Sequence, residues 1–295
     1  TAKELALVCG GKLLGENLSF KGFCIDSREV KEGNVFVALR GTKHDGHSFV
    51  EEAFKKGAVG ALVERESKLE PGKFLVLVDN SLEALRRVAS YKRESFKGKV
   101  IGIAGSAGKT TTKELLAFLL SKVGKVCKTP KNYNSQIGVP LSVANFEDDC
   151  QFWVIEMGAS KKGDVKSLVD VVKPHIRVIT SIGEEHLETF GCLDDVVLGN
   201  GEIFSNIQEE DWGVLPKDVA HCYELKKVIT FGKGGDLEGR EVKLSEEGIS
   251  FIVDGIYVKL PIPSLALLEN TLCAFGVLKA LGYDWRDLVR FLEEF

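Results

Sequence analysis

A glycine-rich turn between an apolar run and an amphipathic run constrains this chain more than any other feature. Residues 100–104 read VIGIA, residues 105–112 read GSAGKTTT, and an apolar stripe that begins at Leu115 follows. The backbone N–H groups of such a turn and the positive end of a helix dipole bind phosphates. Lys109 would reach the β and γ phosphates, and the Thr110 hydroxyl would ligate magnesium. The sequence thus predicts a loop that binds ATP with Mg²⁺ through Gly105, Ser106, Ala107, Gly108, Lys109, Thr110 and Thr111.

The glycine spacing of this loop departs from the standard GxxxxGK[ST] pattern. The first glycine of that pattern would fall on Ile103, whereas the glycines stand at positions 102, 105 and 108. A chance glycine turn is the alternative interpretation, and average residue usage gives a GxxGK[ST] string in roughly 1% of chains of this length. The strand-like and helix-like flanks favour the phosphate loop over that alternative.

Two domains are expected, because 295 residues exceed the usual size of one small domain. In the first hundred residues, short β-like runs alternate with helical patterns, which predicts a small α/β domain. The β-like runs are 20–25, 34–39, 59–63 and 74–78, and the helical stretches are 2–9, 48–56 and 81–95. A charged KGK segment then precedes a new apolar strand, which places the boundary after residue 97 and gives domains 1–97 and 98–295.

The second domain is predicted to be a P-loop ATPase-like α/β fold, because helical segments separate its apolar strands. Such a pattern favours a mostly parallel sheet covered on both faces. The predicted strands are 100–104, 152–155 and 176–180. Residues 241–260 carry hairpin signals and predict an antiparallel ribbon attached to the main sheet. A helix is expected around 265–281, and another is expected to begin after Asp284 as N-cap.

Composition restricts the compartment and the partners. The net charge of −4, from 39 basic and 43 acidic residues spread along the chain, gives no electrostatic argument for nucleic acid or anionic membranes. No apolar run approaches the roughly 18 residues that span a bilayer, and the first residues do not resemble a signal peptide. Seven scattered cysteines without a CxxC pair favour reduced thiols. The expectation is a cytoplasmic monomer that binds small molecules.

Two acidic or imidazole side chains follow strands of the second domain directly. Glu156 ends the apolar run FWVI, and His186 lies just after the strand that ends near Thr180. For an isolated Glu or His, a solvated surface position or a structural hydrogen bond is the more frequent interpretation. A shared position at strand tips beside Thr110 favours a magnesium site instead. Lys113 and Glu114, in the first turns of the helix, are left out of the site because solvent can account for their charges.

The segment 128–142, KTPKNYNSQIGVPLS, is rich in amides and turn formers. Its side chains could orient a polar substrate beside the γ-phosphate, and they could equally cap turns, as Asn and Ser often do. The residues concerned are Asn132, Asn134, Ser135 and Gln136.

Several segments in this order resemble the Mur ligases of bacterial cell-wall synthesis. The segments are GIAGSAGKTTTKE, KNYNSQIGVPLS, EMGAS, TSIGEEHLETFG and GEIF. The run from DSREV to GALV in the first domain resembles the uridine-nucleotide-binding domain of the same family. The resemblance therefore covers essentially the whole chain.

The resemblance implies a function for each domain. The first domain would hold the UDP end of UDP-N-acetylmuramoyl-tripeptide through Ser27, Arg28, Asp45, Gly46 and His47, with Asn134 and Ser135 as further substrate contacts. In the second domain, ATP would phosphorylate the tripeptide carboxylate, and the amine of D-alanyl-D-alanine would attack the acyl phosphate. Lys109, Glu156 and His186 would be catalytic, with Thr110, Glu156 and His186 on the metal. Asn270 would contact the adenine.

The sequence departs from the family pattern at three places. Asn200 stands before GEIF, where the family usually has a lysine that becomes a carbamate near a second magnesium; the hypothesis is that this metal is held differently or less tightly here. In the adenine pattern HNxxN, Glu269 stands for the histidine and Cys273 for the second asparagine. A further C-terminal domain of the family is not represented, so the chain is expected to be a fragment that ligates poorly alone.

Two other functions stay open. A related ligase of the same family that adds a single amino acid shares the first domain, although NYNSQIGVP argues against it. A nucleotide-binding module without catalysis is the second alternative. A P-loop GTPase lacks support, because no NKxD string is present.

Overall fold

The computed structural model describes residues 1–131, 133–183 and 193–295, which form two compact units. The first unit comprises residues 1–96 with 140–146, and the second comprises residues 97–139 with 147–295. The segment 140–146 therefore belongs to the first unit, although the residues before and after it in the chain belong to the second.

The first unit is built on a five-stranded sheet in the order β1-β5-β4-β3-β2. Strands β2 to β5 are parallel, and β1 runs antiparallel to β5 at the edge. Its elements are α1 (Ala2–Cys9), β1 (Lys12–Gly15), β2 (Phe23–Cys24), β3 (Val35–Val37), α2 (Val50–Lys55), β4 (Gly60–Val63), β5 (Phe74–Leu77) and α3 (Ser81–Ser95). All four residues of β4 are buried, as expected for a central parallel strand covered on both faces.

A helix from the middle of the chain completes the first core. Helix α5 (Gly138–Asn145) supplies Leu141 and Ala144 to the apolar cluster that contains Leu5, Phe74 and Leu85. The Asn145 side chain binds both backbone groups of Phe23: its Oδ1 accepts from the amide at 2.7 Å, and its Nδ2 donates to the carbonyl at 3.0 Å. Because Phe23 lies in edge strand β2, these bonds replace a missing strand neighbour.

The second unit contains a six-stranded sheet in the order β11-β10-β9-β6-β8-β7, and all of its pairs are parallel. Its strands and first helices are β6 (Lys99–Ala104), α4 (Lys109–Leu120), β7 (Val126–Lys128), β8 (Phe152–Glu156), α6 (Asp164–Val172), β9 (Ile176–Ile179), α7 (Leu193–Gly201), β10 (Trp212–Pro216) and β11 (Val228–Phe231). The order reverses at β6, since the chain leaves it towards β7 and β8 and returns on its other side at β9. Ligands bind in α/β proteins at the crevice that such a reversal opens.

The antiparallel strands form a sheet of their own. Strands β12 (Arg240–Ser245), β13 (Gly248–Val253) and β14 (Ile256–Leu260) are paired only with one another in the described ladders. Phe251 and Val258 on this sheet share one apolar cluster with Ile103 of β6. The expected attachment to the main sheet is therefore through side-chain packing and not through a continuous hydrogen-bonded ladder.

The predicted α/β class and the mostly parallel second sheet are confirmed. The last helices also agree, with α8 at Ala266–Ala280 and a helix at Trp285–Glu294 whose N-cap Asp284 accepts from the Arg286 amide. This last helix is of the 3₁₀ type. In the first unit, the sequence missed β1 because only Leu13 and Leu14 mark it as apolar, and its antiparallel partner β5 lies far along the chain.

One pair of cysteines contradicts the expectation of reduced thiols. Cys127 and Cys150 form a disulfide across 23 residues, with Cα atoms 5.9 Å apart. Cys127 lies in edge strand β7, and Cys150 comes two residues before β8, so the bond fastens the edge strand to its neighbour. Local sequence patterns carry no signal for this pair, because it is the parallel pairing of β7 with β8 that brings the two cysteines together.

No helix in the described ranges is both long and apolar enough to cross a membrane.

Opening this disulfide should lower the free energy of unfolding. The chain-entropy relation gives about 3 kcal/mol for a loop of this length, so Cys127→Ser and Cys150→Ser should each unfold at lower guanidinium concentration. Adding a reductant to the unmodified protein should produce the same decrease. Cys222→Ser, which replaces an exposed free thiol, is the control. Equal stability of the unmodified protein with and without reductant would contradict the expectation.

Candidate functional site

The phosphate loop joins the buried strand β6 to helix α4 through two glycines in left-handed backbone conformations. Gly105 has a φ of +138°, and Gly108 has a φ of +80°. A Cβ on Gly105 would lie 2.1 Å from Thr180 Oγ1, and one on Gly108 would lie 2.5 Å from Asn270 Oδ1. Both positions therefore require glycine for conformation and for space. The need for glycine at positions 105 and 108 accounts for the glycine spacing of this loop, which differs from GxxxxGK[ST].

Helix α4 begins at Lys109, and Gly108 occupies its N-cap without a capping side chain. The N–H groups of its first turn therefore face the loop with the positive end of the helix dipole, which is the arrangement that binds phosphate. The Lys109 side chain turns back over the loop, and its Nζ donates to the Gly105 carbonyl at 2.7 Å. From this position the ammonium lies beside the loop whose amides would hold phosphates.

The loop is tied to the residues that follow β9. The Ser106 amide donates to the Ser181 carbonyl at 2.9 Å, and the Ala107 amide donates to Ser181 Oγ at 3.0 Å. The Thr180 hydroxyl donates to the Ala107 carbonyl at 2.6 Å. These bonds fix Ser106 and Ala107 before any nucleotide binds, so the loop is preorganised.

Thr110 and Glu156 meet at the carboxyl end of the sheet. The Thr110 hydroxyl lies 3.1 and 3.0 Å from the two carboxylate oxygens of Glu156, at the end of β8. A hydroxyl and a carboxylate beside a phosphate loop are oxygen donors of the kind that Mg²⁺ prefers together with substrate phosphates. The donor set therefore fits magnesium. His186, the third predicted metal ligand, lies outside the described residues.

Glu156 is held by several donors although only 1% of its surface is exposed. Asn134 Nδ2 donates to its Oε1 at 3.0 Å, and its own amide donates to Thr129 Oγ1 at 3.0 Å. A buried carboxylate is costly unless it is paired and hydrogen-bonded. The surroundings of Glu156 meet that requirement, and they fix the direction in which its oxygens point.

Lys113 belongs to this site, although the sequence interpretation left it out. Its side chain is fully buried, and its Nζ lies 3.3 Å from Glu156 Oε2. The same ammonium donates to the carbonyl of Lys131 at 2.5 Å, where Lys131 has a left-handed φ of +47°. The signal in the sequence is helical spacing, because Lys113 stands three, four and seven residues before the buried Leu116, Ala117 and Leu120.

A cavity of about 530 Å³ adjoins the loop. Lys109, Asn134, Gly158, Ser160 and Lys161 are among the residues that line it. Asn134 points into the site, as the substrate interpretation of its segment requires. Ser135 instead caps a turn, as the alternative interpretation of this segment expects. Its Oγ accepts from the Gly138 amide at 3.0 Å, at the start of α5.

Gln136 and Asn132 complete that segment. Gln136 Nε2 donates to the Asp164 carbonyl at 2.8 Å, so this amide also holds local structure. Asn132 lies outside the described residues.

The predicted adenine contact, Asn270, also reaches the loop. It is buried in α8, and its Oδ1 accepts from the Thr112 hydroxyl at 3.3 Å and lies beside Gly108. Glu269 is an exposed residue of α8, and partial desolvation raises the pKa of its carboxyl. Cys273 is fully buried, and its thiol is a weaker hydrogen-bond donor and acceptor than an asparagine amide.

Asn200 contacts the phosphate loop directly, which the sequence did not predict. It lies in α7 with 5% of its surface exposed. Its Oδ1 accepts from the Gly105 amide at 3.2 Å, and its Nδ2 donates to the Val196 carbonyl at 3.2 Å.

The predicted substrate residues of the first unit form their own cluster. Ser27 is buried and donates to Glu52 of α2 at 3.1 Å, whereas the Arg28 side chain is 81% exposed. The Arg28 guanidinium pairs with Asp26 at 2.7 Å and lowers the pKa of that carboxyl to about 2. The charge that Arg28 could offer to a phosphate is thus near the surface and already oriented.

Asp45, Gly46 and His47 form a turn immediately before α2. His47 is buried; its Nδ1 lies 2.7 Å from Asp45 Oδ1, and its Nε2 accepts from the Glu64 amide at 2.8 Å. The ring therefore carries its proton on Nδ1 and donates to Asp45, which holds the pKa of that carboxyl well below its usual range. A Cβ on Gly46 would lie 2.7 Å from the Leu39 amide nitrogen, so this turn is closely packed.

Comparison with known proteins identifies the same family over both units. The model described as "Mur ligase family, catalytic domain" matches residues 19–110, and the one described as "Mur ligase middle domain" matches residues 103–278. The chain is 34% identical over 282 residues to the UDP-N-acetylmuramoyl-tripeptide--D-alanyl-D-alanine ligase of Synechocystis sp., covering 93% of this chain and 61% of that protein. The corresponding ligase of Rickettsia prowazekii is 37% identical over 285 residues, covering 91% and 63%. The chain thus spans about three-fifths of the length of these relatives.

Solved structures agree. MurF from Acinetobacter baumannii superposes with a TM-score of 0.91 at 30% identity, over 100% of this chain and 68% of that one. MurF ligase from Thermotoga maritima in complex with ADP superposes with a TM-score of 0.82 at 33% identity, over 93% of this chain and 66% of that one.

The buried pair of Lys113 and Glu156 should be strongly coupled in stability. Removing one partner of a buried ion pair costs about 3 kcal/mol or more because the other charge stays buried, so Lys113→Met should lower the free energy of unfolding by that amount. Combined with Glu156→Gln, the loss should be well below the sum of the two single losses. Guanidinium unfolding measures both quantities.

Lys122→Met is the control, since this lysine forms a surface ion pair with Glu294 just after the same helix. Its effect should stay below about 1 kcal/mol. Additive effects of the Lys113 and Glu156 substitutions would show that the two side chains do not interact.

Proposed function

The chain belongs to the Mur ligase family and is similar to its MurF members, and from that membership we propose its reaction. We propose that it provides the ATP site and the uridine-nucleotide site of a ligase that joins D-alanyl-D-alanine to UDP-N-acetylmuramoyl-tripeptide. The single observation that carries the proposal is the meeting of Thr110 and Glu156, 3.0 Å apart, beside a preorganised phosphate loop. The names of the relatives support the choice of substrates.

The first step is transfer of the γ-phosphoryl group of ATP to the terminal carboxylate of the peptide. The amides of residues 108–111, at the start of α4, and the Lys109 ammonium would hold the phosphates and stabilise charge on the transferring group. Thr110 and Glu156 would hold magnesium, which supplies charge neutralisation and orients the phosphates when bound. The ADP complex of the Thermotoga maritima relative supports a nucleotide in this site.

The second step is attack of the D-alanyl-D-alanine amine on the acyl phosphate, with release of phosphate. This reaction requires positioning and charge stabilisation but no protein nucleophile. The cavity beside Lys109 and Asn134 is the place we assign to the reacting carboxylate, because it opens next to the phosphate loop. Asn134 would bind that carboxylate while it keeps Glu156 in place.

We assign the uridine nucleotide to the first unit. Arg28 supplies an exposed guanidinium, and Asp45, Gly46 and His47 would contribute from a closely packed turn. Because His47 uses both ring nitrogens within the protein, its contribution would be to hold this turn. Residues 1–97 would thus be the substrate-binding domain and 98–295 the ATP-binding domain, with Asn270 beside the adenine.

We also propose a cytoplasmic monomer, since its substrates are ATP and a soluble nucleotide precursor. The disulfide between Cys127 and Cys150 is uncommon in a reducing compartment. Alkylation of extracts followed by mass spectrometry of the Cys127 peptide determines its state in the cell.

The full-length protein should release ADP only when both UDP-N-acetylmuramoyl-tripeptide and D-alanyl-D-alanine are present. Mass spectrometry should show the amide product with the dipeptide added. Lys109→Ala should lower kcat by about 100-fold or more, because it removes a charge that stabilises the transition state. Lys122→Met, away from the loop, should leave kcat unchanged.

Two outcomes would reject this assignment. ADP release with a nucleotide dipeptide and a single amino acid would indicate the related ligase of the family. Tight ATP binding without turnover on any of these substrates would indicate a nucleotide-binding module without catalysis.

The asparagine at position 200 leads to a prediction about bicarbonate. An amide side chain cannot take up carbon dioxide, so removing bicarbonate should leave the ligase activity unchanged. Turnover should not require a lysine at position 200. A rise in activity with bicarbonate, together with a carbamylated lysine elsewhere in the chain, would contradict the proposal that the second metal is held differently here.

A further inference from the structure

Gly105 is the residue at which the chain leaves strand β6 and enters the phosphate loop. Its φ of +138° is sterically available to glycine, but glycine also adopts many other conformations at low cost. A loop that must lead into the phosphate-binding amides at the start of α4 therefore needs something else to select this one conformation. The structure provides that selection through contacts on both sides of the Gly105 Cα.

The peptide group after Gly105 is held from two directions. Its carbonyl accepts from Lys109 Nζ at 2.7 Å, and its N–H, which belongs to Ser106, donates to the Ser181 carbonyl at 2.9 Å. The peptide group before Gly105 is held by Asn200, whose Oδ1 accepts from the Gly105 amide at 3.2 Å. With both flanking peptide groups fixed, the φ and ψ angles of Gly105 are fixed as well.

We propose that Asn200 is a positioning residue that sets the conformation of the phosphate loop at Gly105 and, through the Gly105 carbonyl, the position of the Lys109 ammonium. The inference rests on the proposed function only in assigning ATP to the loop. The contact itself is a property of the protein without nucleotide.

The amide of Asn200 suits this position better than other side chains do. Its Nδ2 donates to the Val196 carbonyl one turn earlier in α7, which fixes the orientation of the side chain and leaves Oδ1 facing the loop. An aspartate could still accept from the Gly105 amide. Its second oxygen, however, would face the Val196 carbonyl oxygen, and its negative charge would lie towards the phosphates. An alanine or a lysine offers no acceptor, and the Gly105 amide would be buried without a partner.

The test uses the full-length protein and two readouts. Hydrogen exchange at the Gly105 amide, resolved by NMR without nucleotide, reports the contact directly. The Kd for ATP, measured by calorimetry without the peptide substrates, reports its effect on binding. Asn200→Ala should speed exchange at Gly105 and raise the Kd by up to about 10-fold, the equivalent of one ordinary hydrogen bond. Asn200→Asp should keep the slow exchange and still raise the Kd, because it retains the acceptor and adds charge.

Asn145→Ala is a matched control. Asn145 also binds a backbone amide through Oδ1 and a backbone carbonyl through Nδ2, but it does so at Phe23 in the first unit. It should lower stability without changing exchange at Gly105 or the Kd for ATP. If Asn145→Ala raises the Kd as much as Asn200→Ala does, Asn200 acts only through overall stability and the proposal is wrong.

The remaining outcomes distinguish failure of the positioning role of Asn200 from failure of the proposed function. Unchanged exchange and unchanged Kd in Asn200→Ala would overturn the positioning role. If the unmodified protein binds no ATP, the proposed function fails, while exchange at Gly105 in the variants still tests Asn200. Should Asn200→Ala not fold, Asn200→Asp alone remains decisive, because fast exchange at Gly105 in that variant would show that the acceptor is not used.

Discussion

The carboxyl end of strand β6 is the constraint on which the second unit depends. The strand lies in the middle of a parallel sheet, where the strand order reverses, and the chain must leave it and start a helix within four residues. Two glycines with positive φ make that turn possible. The helix that follows then buries its apolar stripe against the same sheet, so the geometry that builds the core also exposes the amides that would bind phosphates.

Charge at the site is balanced inside the protein. Glu156 and Lys113 are both buried and lie 3.3 Å apart, and the loop lysine rests on a backbone carbonyl. A buried carboxylate needs an opposite charge or hydrogen-bond donors to offset the loss of water. The pair therefore holds a hard oxygen ligand in place where water has little access. That environment strengthens the electrostatic contacts of whatever binds there.

The sequence predicted those parts of the fold that local patterns encode. Apolar runs located β6, β8 and β9, and the glycine turn located the loop and Lys109. Local patterns could not predict contacts between residues that are far apart in the chain. The disulfide depends on the pairing of β7 with β8, and Asn200 contacts Gly105 across 95 residues. Lys113 was missed for another reason, since a lysine near a helix start is usually solvated. Only its place on the apolar stripe signalled burial.

The passage of residues 140–146 into the first unit has a consequence for synthesis of the chain. Edge strand β2 is bound by Asn145, and the apolar core beneath it needs Leu141 and Ala144. A ribosome that has released residues 1–96 has therefore not yet released the whole first unit. Its last contacts form only after β6, the phosphate loop and α4 have emerged, so co-translational folding of the two units overlaps in time and does not proceed strictly one after the other.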